Sequence, residues 1–460
     1  MFDARVYASR REALVRALAE AGVREGTIVL IGNRESPMNY ADNCYAFRQD
    51  SSFLYFVGVA LPGLAAAIEL ATGRAALYGD EATMEDIVWT GPQEPIAALA
   101  ARSGIGLTRP RAALARDLEG EALLFFPPYR ADTRAELAEL LGSPYRQVDG
   151  LCSLPLVRAA IALREIKAPE EVAEMDAAVA VSVDMHKAAL STARAGMLES
   201  DVYARVAQVA LASGGGLSFP VIATTRGATL HTHSHGRALE EGGLFLLDAG
   251  AELPSGYAGD LSTSFPVGPR FDSRQREVYE LVMRMHRRAC SLLRPGLPFR
   301  EVHVAAAREG VLGLKELGLM RGDPEEAVES GAYALFFPCG VGHMIGLDVH
   351  DMEDYGEQRV GYEGMARSPL FGLGKLRLAK PLKAGMTFTV EPGIYFIPEL
   401  FEMWKAEGRF SRHIDYAAAE AWMGLGGMRN EEDWMATESG ARRLGPEFDK
   451  TTAAIEAARA

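Results

Sequence analysis

All nine histidines of this 460-residue chain lie after residue 185. Two of them, His343 and His350, lie seven residues apart in the segment GHMIGLDVHD, which is otherwise mostly apolar. A histidine in such a run can ligate a metal, move a proton, or simply be a hydrogen-bonded core residue. The choice among these roles depends on which other side chains the fold brings to the same place.

Two aspartates belong to a predicted hairpin. The segment LFLLDAGAELPSGYAGDLSTSFPV reads as an apolar strand that ends in Asp248, a turn through residues 254–256, and a return strand that carries Asp260. Alternation along the return strand places Asp260, Ser262 and Ser264 on one face.

Two glutamates follow the same pattern. TFTVEPGIYF places Glu391 at the end of an apolar strand, and GGMRNEEDWMAT predicts a strand with Arg429, Glu431 and Asp433 on one face. A carboxylate in buried sequence is costly unless it is paired or metal-bound. An oxygen-rich set with a single imidazole suits hard or borderline divalent ions such as Mn²⁺, and four carboxylates balance the charge of two such ions.

The composition, 48% hydrophobic and 24% charged residues, is that of a globular protein. The net charge of −14 argues against a nucleic-acid partner, because no basic excess is present to replace counterions. The first residues lack the apolar region of a signal peptide, and no apolar run approaches the roughly 20 residues of a membrane span. The four cysteines are scattered without a CxxC pair, so we expect reduced thiols and a cytoplasmic location.

Two domains are expected, because 460 residues exceed one ordinary hydrophobic core. In the first part REALVRALAEAG has helical spacing, whereas TIVLIG, FLYFVGV and AAAIEL are strand candidates. Near Pro169 the pattern changes to a long amphipathic helix that runs to about Ala193, with the proline at its first position. We predict an α/β N-terminal domain at residues 1–158, without site residues, and a catalytic domain at 159–460.

These features together resemble the creatinase/aminopeptidase fold family, the pita-bread metallopeptidases, and within it the proline-specific branch of prolidases and aminopeptidases P. The matching positions are Asp248, Asp260, His343, Glu391 and Glu431, and FRQDSSFLYFVGV and WTGP resemble the N-terminal domain of that branch. The resemblance implies an α+β pita-bread catalytic domain, in which a curved antiparallel sheet is backed by helices. It also implies two divalent metal ions, usually Mn²⁺, bridged by an aspartate and a glutamate that match Asp260 and Glu431.

The same resemblance implies roles for residues around the metals. His231 and His350 match active-site histidines, and a neutral His350 would hydrogen-bond the scissile carbonyl or the developing oxyanion. Glu391 would take one proton from the attacking water, which thereby becomes the hydroxide held by the two ions, and would deliver that proton to the leaving nitrogen. His233 and His235 have no match, and we expect an exposed polar loop there.

The implied substrates are proline-containing dipeptides or short peptides. A long segment between residues 355 and 391 is comparable with that of prolidases, and Arg377 in it resembles their carboxylate-binding arginine. A guanidinium binds a carboxylate through two parallel hydrogen bonds, so Arg377 would select Xaa-Pro dipeptides. Arg429 matches a second arginine, which would support Glu431 or the substrate.

Two alternatives to this Xaa-Pro dipeptidase stay open. The first is an Xaa-Pro aminopeptidase, which releases the N-terminal residue of longer peptides and in which Arg377 is a solvated loop arginine. The second is a catalytically impaired binding module. Relatives in the branch are commonly dimers or tetramers in which the N-terminal domain helps to close the partner's site, so we expect a homo-oligomer.

Three positions depart from the family's pattern. Cys339 stands where many relatives have a histidine four residues before His343, and a thiol is the weaker hydrogen-bond donor. Asp248 and Asp260 are one residue further apart than is usual, which a hairpin turn can absorb. Asn430 replaces an aliphatic residue, and alternation points it away from the metals into the core, at a cost unless it is hydrogen-bonded.

Overall fold

The computed structural model of the protein describes residues 2–232 and 234–460. The chain forms two compact units. The first comprises the described residues up to Arg164 together with Glu353–Gly356, and the second comprises Glu165–Met352 and Glu357–Ala460. The domain boundary predicted at residue 158 falls inside helix Leu154–Arg164, and it stays a prediction.

A five-stranded mixed sheet forms the centre of the first unit. Its strands are β1 Thr27–Ile31, β2 Ala65–Glu69, β3 Ala75–Tyr78, β4 Leu107–Arg109 and β5 Leu123–Leu124. The sheet order is β4-β3-β2-β1-β5, and β1 pairs antiparallel with β2 but parallel with β5. The helices are α1 Ala4–Glu20, α2 Ser51–Phe56, α3 Met84–Thr90, α4 Ile96–Arg102, α5 Leu114–Asp117, α6 Ala131–Leu141 and α7 Leu154–Arg164.

One predicted strand of this unit is a helix. TIVLIG and AAAIEL form β1 and β2 as predicted, but FLYFVGV lies largely in α2. The helix follows Asp50, whose carboxylate accepts a hydrogen bond from the Phe53 N–H at 2.8 Å. This N-cap satisfies a backbone donor that would otherwise be unpaired at the start of a helix, and it therefore favours the helix. The strand predicted for FLYFVGV was wrong.

A short excursion of the chain, Glu353–Gly356, belongs to the first unit. Tyr355 is buried there; its hydroxyl shares a hydrogen bond with Ser52 Oγ, and its ring stacks on that of Phe126 with 4.9 Å between the centroids. The first unit is therefore discontinuous in sequence.

Antiparallel strands backed by helices form the second unit. The strands are β6 Gly216–Leu217, β7 Ile222–Thr224, β8 Leu244–Ala249, β9 Ala251–Glu252, β10 Leu261–Pro266, β11 Thr387–Val390, β12 Gly393–Tyr395, β13 Gly427–Arg429, β14 Glu432–Ala436 and β15 Ala441–Arg443. They form two three-stranded sheets, β10-β8-β7 and β11-β14-β15, and two pairs, β12-β13 and β6-β9. The helices are α8 Pro169–Thr192, α9 Glu199–Ala212, α10 Ser273–Cys290, α11 Phe299–Glu316, α12 Pro324–Glu329, α13 Glu357–Gly361, α14 Pro398–Ala406, α15 Tyr416–Glu420 and α16 Thr452–Arg459.

Helices α8 and α10 cover these strands. Helix α8 packs on β8, β9 and β10, and α10 packs on β11, β12 and β13. The predicted start of α8 is confirmed, because Pro169 opens the helix and the Glu171 carboxylate accepts a hydrogen bond from the Ala168 N–H at 3.0 Å. Among residues 2–232 and 234–460, no helix is both long and apolar enough to cross a membrane.

Candidate metal centre

Strands β8 and β10 bring the two aspartates together. In the β8–β10 ladder Asp248 lies opposite Ser262, and Asp260 directly precedes β10, so both carboxylates leave the same end of the hairpin. Both side chains are buried. Their Oδ1 atoms have no hydrogen-bond partner among the residues that the structure describes. Two orphaned carboxylate oxygens in one buried place are what a cation site without its cation would present.

His343 lies beside β11, because its N–H donates to Thr389 Oγ1 at 3.2 Å and its carbonyl accepts from the Thr389 N–H at 2.9 Å. Its ring Nδ1 donates to the Met344 carbonyl at 3.0 Å, so Nε2 is the ring nitrogen that can serve as a ligand atom. That Nε2 lies 3.4 Å from Asp260 Oδ2 and 3.8 Å from Glu391 Oε1.

Glu431 reaches the other candidate ligands from the segment that directly precedes β14. Its carboxylate accepts a hydrogen bond from Ser262 Oγ at 2.7 Å, and its backbone N–H donates to the Ser262 carbonyl at 3.2 Å. Ligand atoms of Asp260, His343 and Glu431 all lie within 4.8 Å of one another. We call Asp248, Asp260, His343, Glu391 and Glu431 the ligand cluster. One imidazole and two carboxylates at these distances, with Glu391 beside the imidazole and Asp248 at the same end of the hairpin as Asp260, fit divalent ions.

The strand predicted for GGMRNEEDWMAT is interrupted. Strand β13 ends at Arg429 and pairs with β12, whereas β14 begins at Glu432 and pairs with β11. The predicted alternation still holds, because Asp433 faces the ligand cluster and its Oδ2 accepts a hydrogen bond from the Asp260 N–H at 2.8 Å. Glu432 faces the other way and pairs with Arg443 at 3.2 Å.

Arg429 is buried among the ligands. Its guanidinium pairs with Asp248 through Nη2, donates to Ser262 Oγ through Nε at 2.8 Å, and donates to the Tyr395 hydroxyl through Nη1 at 3.0 Å. Ser262 in turn donates to Glu431, so one guanidinium holds two of the candidate ligand side chains in place.

The carboxylates of the cluster repel one another. Burial, followed by the Asp248 charge, raises the pKa of Asp260 well above its usual value. Burial, followed by the Asp260 charge, does the same to the pKa of Glu431, and burial with the Glu431 charge raises the pKa of Glu391 to about 8. Without a cation these groups take up protons, and a bound cation would reverse that preference.

A cavity of about 650 Å³ opens onto the ligand cluster. The other predicted site residues line it too, namely His231, His350, Arg377 and Arg429. Its apolar wall includes Phe219, Pro220, Ile222, Leu230, Phe371, Ile397 and Leu400. The His350 ring stacks on the His343 ring with 3.7 Å between the centroids, and Arg377 Nη1 lies 4.0 Å from Glu357 Oε2.

The departures from the family pattern lie in and behind this cavity. Cys339 lines the wall with its thiol 4.0 Å from the Tyr395 hydroxyl, and burial raises the pKa of that thiol to about 12. Asn430 points into the core as predicted, and neither its Oδ1 nor its Nδ2 has a hydrogen-bond partner within the described part of the chain.

The sequence predicted an exposed polar loop at His233 and His235. His233 lies outside the described residues. His235 is only half-exposed, since its ring stacks on Tyr203 with 4.7 Å between the centroids and its Nδ1 lies 3.3 Å from the Ala223 carbonyl. The expectation of a simply exposed loop was wrong for His235.

Two supporting contacts of the site, made by Tyr395 and Ser262, were not predicted from the sequence. The Tyr395 hydroxyl accepts a hydrogen bond from Arg429. Because Tyr395 follows Glu391 at a spacing of four residues, period-two alternation could have placed it on the same face. Ser262 was placed on the correct face, but its link to Glu431 depends on a contact 169 residues away along the chain.

Comparison with known proteins agrees with this geometry. The family model for metallopeptidase family M24 matches residues 173–438, and that for the aminopeptidase P N-terminal domain matches residues 7–123. Human Xaa-Pro dipeptidase is 28% identical, with 95% of this chain and 90% of that protein covered. A probable Xaa-Pro aminopeptidase of Botryotinia fuckeliana is 29% identical, with 91% and 89% covered.

The structure of Pseudomonas aeruginosa aminopeptidase PepP superimposes with a TM-score of 0.82 at 27% identity, covering 100% of this chain and 98% of that one. This whole-chain likeness confirms the expected two-domain fold with its pita-bread catalytic domain. The first family match includes every residue of the ligand cluster and more than half of the chain. The chain therefore belongs to metallopeptidase family M24 and carries an aminopeptidase P N-terminal domain.

Proposed function

We propose that this protein hydrolyses the peptide bond before proline in Xaa-Pro dipeptides, with two divalent metal ions, in the first instance Mn²⁺, held by the ligand cluster. The observation that carries the dipeptide preference is the position of Arg377, which lines the same cavity as the cluster. A cationic group in the wall of a metallopeptidase cavity suits a substrate that ends in a carboxylate.

When bound, the ions supply Lewis-acid polarisation of the scissile carbonyl and an activated water at neutral pH. The protein's part is to hold and orient. Arg429 keeps Asp248 in place and, through Ser262, also Glu431. The hydrogen bond from His343 Nδ1 to the Met344 carbonyl directs Nε2 toward the other ligands.

Three cavity residues act on the substrate in this proposal. Glu391, whose side chain is 20% exposed, carries the proton from the attacking water to the leaving imino nitrogen. His350, stacked on His343, donates a hydrogen bond to the carbonyl oxygen on which negative charge develops. His231 also lines the cavity, and we assign it a role in contacting the substrate.

Arg377 is proposed to bind the carboxylate of the proline residue. Glu357 Oε2 lies 4.0 Å from its Nη1, which limits where the guanidinium can turn. Lys375, two residues before Arg377, also lines the cavity and adds a second positive charge to its wall. A longer peptide carries no carboxylate at that position and would lose this interaction.

A second candidate function is Xaa-Pro aminopeptidase. It is favoured by the whole-length likeness to a solved aminopeptidase P and by the 650 Å³ cavity, which leaves room beyond a dipeptide. In that function the chain after proline leaves past Arg377. A homo-oligomer and a cytoplasmic location remain proposals from the sequence, and light scattering of the purified protein tests the first.

The test compares Ala-Pro with Ala-Pro-Ala as substrates of the Mn²⁺-loaded protein. We expect preference for the dipeptide, and Arg377→Ala should lower kcat/KM for it about 100-fold, because charge-assisted hydrogen bonds contribute roughly 3 kcal/mol. Arg367→Ala is the matched control, since Arg367 also pairs with Glu357 but does not line the cavity.

Two other outcomes of this comparison would change the assigned function. Preference for the tripeptide, with Arg377→Ala unchanged, would make the protein an Xaa-Pro aminopeptidase. Cleavage of neither peptide, although Mn²⁺ is bound, would point to the impaired binding module and to the buried thiol of Cys339 as the first site to restore.

A further inference from the structure

The carbonyl of Met344 accepts two hydrogen bonds at the edge of the ligand cluster. One comes from His343 Nδ1 at 3.0 Å, and the other comes from the backbone N–H of Asp351 at 2.9 Å. The second bond closes residues 344–351 into a compact loop. This loop begins directly after His343 and contains His350 as its last residue but one.

A buried ion pair holds the end of this loop. Lys167 Nζ lies 2.8 Å from Asp351 Oδ2, and each side chain is only 1% exposed. The loop is shaped around the pair, because a Cβ on Gly346 would lie 2.5 Å from Asp351 Oδ2 and 2.9 Å from Lys167 Cε. The lysine is itself anchored, since its backbone N–H donates to the Gly385 carbonyl at 2.9 Å, just before β11 begins.

The consequence for the ligand cluster runs through three hydrogen-bonded steps. The ion pair fixes Asp351, the Asp351 N–H fixes the Met344 carbonyl, and that carbonyl fixes the His343 ring. His350 directly precedes Asp351, so the same pair sets where its ring can stack on His343. The groups that orient a ligating histidine typically change metal affinity 10- to 100-fold when they are removed.

We infer that Lys167 and Asp351 are positioning residues for the metal centre, which orient His343 as a ligand and His350 as its stacked neighbour. The inference rests on the proposed function, because it takes the ligand cluster to be the metal site. It adds that the affinity for metal is set in part by an ion pair that touches neither metal nor substrate.

The protein contains a matched ion pair for comparison. Glu165 pairs with Lys380, and these side chains are 6% and 1% exposed. Glu165 also pairs with Lys383 at 2.8 Å, and the Lys380 N–H donates to the Gly361 carbonyl. None of these bonds reaches the loop of residues 344–351. The pair is therefore nearly as buried as Lys167–Asp351 but separate from His343.

The experiment measures Mn²⁺ affinity by the electron paramagnetic resonance signal of free Mn²⁺, together with the thermal midpoint of the metal-free protein. We expect Asp351→Asn and Lys167→Met to weaken Mn²⁺ binding about tenfold or more. They should also alter the visible absorption bands of the Co²⁺-loaded protein, which report ligand geometry. The controls Glu165→Gln and Lys380→Met should lower the thermal midpoint but leave the Mn²⁺ affinity and the Co²⁺ spectrum unchanged.

An equal fall in thermal midpoint for both pairs, with Mn²⁺ affinity unchanged in all variants, would overturn the inference. If Lys167→Met does not fold, the double variant Lys167→Met/Asp351→Leu removes both charges of the buried pair together. Weak Mn²⁺ binding by the double variant supports the inference, and wild-type binding overturns it.

These readouts separate the inference from the proposed function. They require metal binding but no peptide cleavage, so a wild-type protein that binds Mn²⁺ and cleaves neither peptide would refute the proposed activity while the positioning role is still decided. A wild-type protein that binds no Mn²⁺ would overturn both.

Discussion

Burial of the ligand carboxylates, together with the repulsion among them, predicts that the metal-free protein loses stability as the pH rises. Burial, and next the Glu431 charge, raises the pKa of Glu391 from 4.5 to about 8. Between these two values the folded protein holds a proton that the unfolded chain has released. The free energy of unfolding therefore falls with increasing pH across this window, and the loss is complete above about pH 8.

The size of the effect follows from that pKa. A rise from 4.5 to about 8 corresponds to about 5 kcal/mol, at about 1.4 kcal/mol per pH unit. Water reaches the 20% of the Glu391 side chain that stays exposed and screens part of the repulsion, so we expect about 3 kcal/mol. Glu391→Gln keeps the shape and removes the charge. It should stabilise the metal-free protein by this amount at about pH 8.5 and have little effect near pH 4.5.

The assay is urea unfolding in the presence of a chelator at several pH values between about 5 and 8.5. Burial lowers the pKa of His186 to about 3 and of His286 to about 4, and these groups oppose the trend equally in both proteins. The difference between the proteins therefore reports Glu391 together with its effect on the pKa of Asp260, which the Glu391 charge helps to raise. Glu402→Gln, on the exposed surface of α14, is the control. Parallel stability profiles for wild type and Glu391→Gln would refute the reasoning.

Three further predictions concern the same unit. Asn430→Leu should raise the free energy of unfolding by about 1–2 kcal/mol, because it removes a buried amide whose atoms have no partner in the described chain; a loss in urea unfolding would contradict this. Lys450→Met should lower that free energy by about 3 kcal/mol, because the buried amine donates to the carbonyls of Ser262 at 3.0 Å and Glu431 at 2.8 Å; unchanged stability would show that the amine can be spared. Mn²⁺ at about 100 times its Kd should stabilise the wild type by roughly 2.7 kcal/mol and a chelator should abolish the gain, whereas equal melting with and without metal would argue against the site.

Sequence patterns predicted local structure well where one signal dominated. Pro169 marked the start of α8, and period-two alternation placed Arg429, Glu431 and Asp433 on one face even though β13 and β14 are separate strands. The pattern failed for FLYFVGV, because a short apolar run suits a buried strand and a buried helix equally, and the N-cap at Asp50 decided between them.

The candidate ligands could be identified from the sequence, but the contacts that hold them could not. Arg429 pairs with Asp248 from 181 residues away, and Lys167 reaches Asp351 across 184 residues. Spacing along one segment fixes the face on which a side chain lies but carries no information about which distant segment covers that face. The supporting hydrogen bonds of the metal centre are therefore properties of the tertiary structure.

The discontinuity of the first unit has a consequence for how the protein is made. A ribosome that has synthesised the chain as far as Arg164 has produced all of the first unit except Glu353–Gly356. Until Tyr355 emerges, one face of Phe126 has no ring to stack on, and Ser52 lacks the hydroxyl with which it shares a hydrogen bond. The N-terminal domain therefore cannot complete its packing during synthesis before much of the catalytic domain has left the ribosome, and its last step of folding is timed by the length of the chain that follows it.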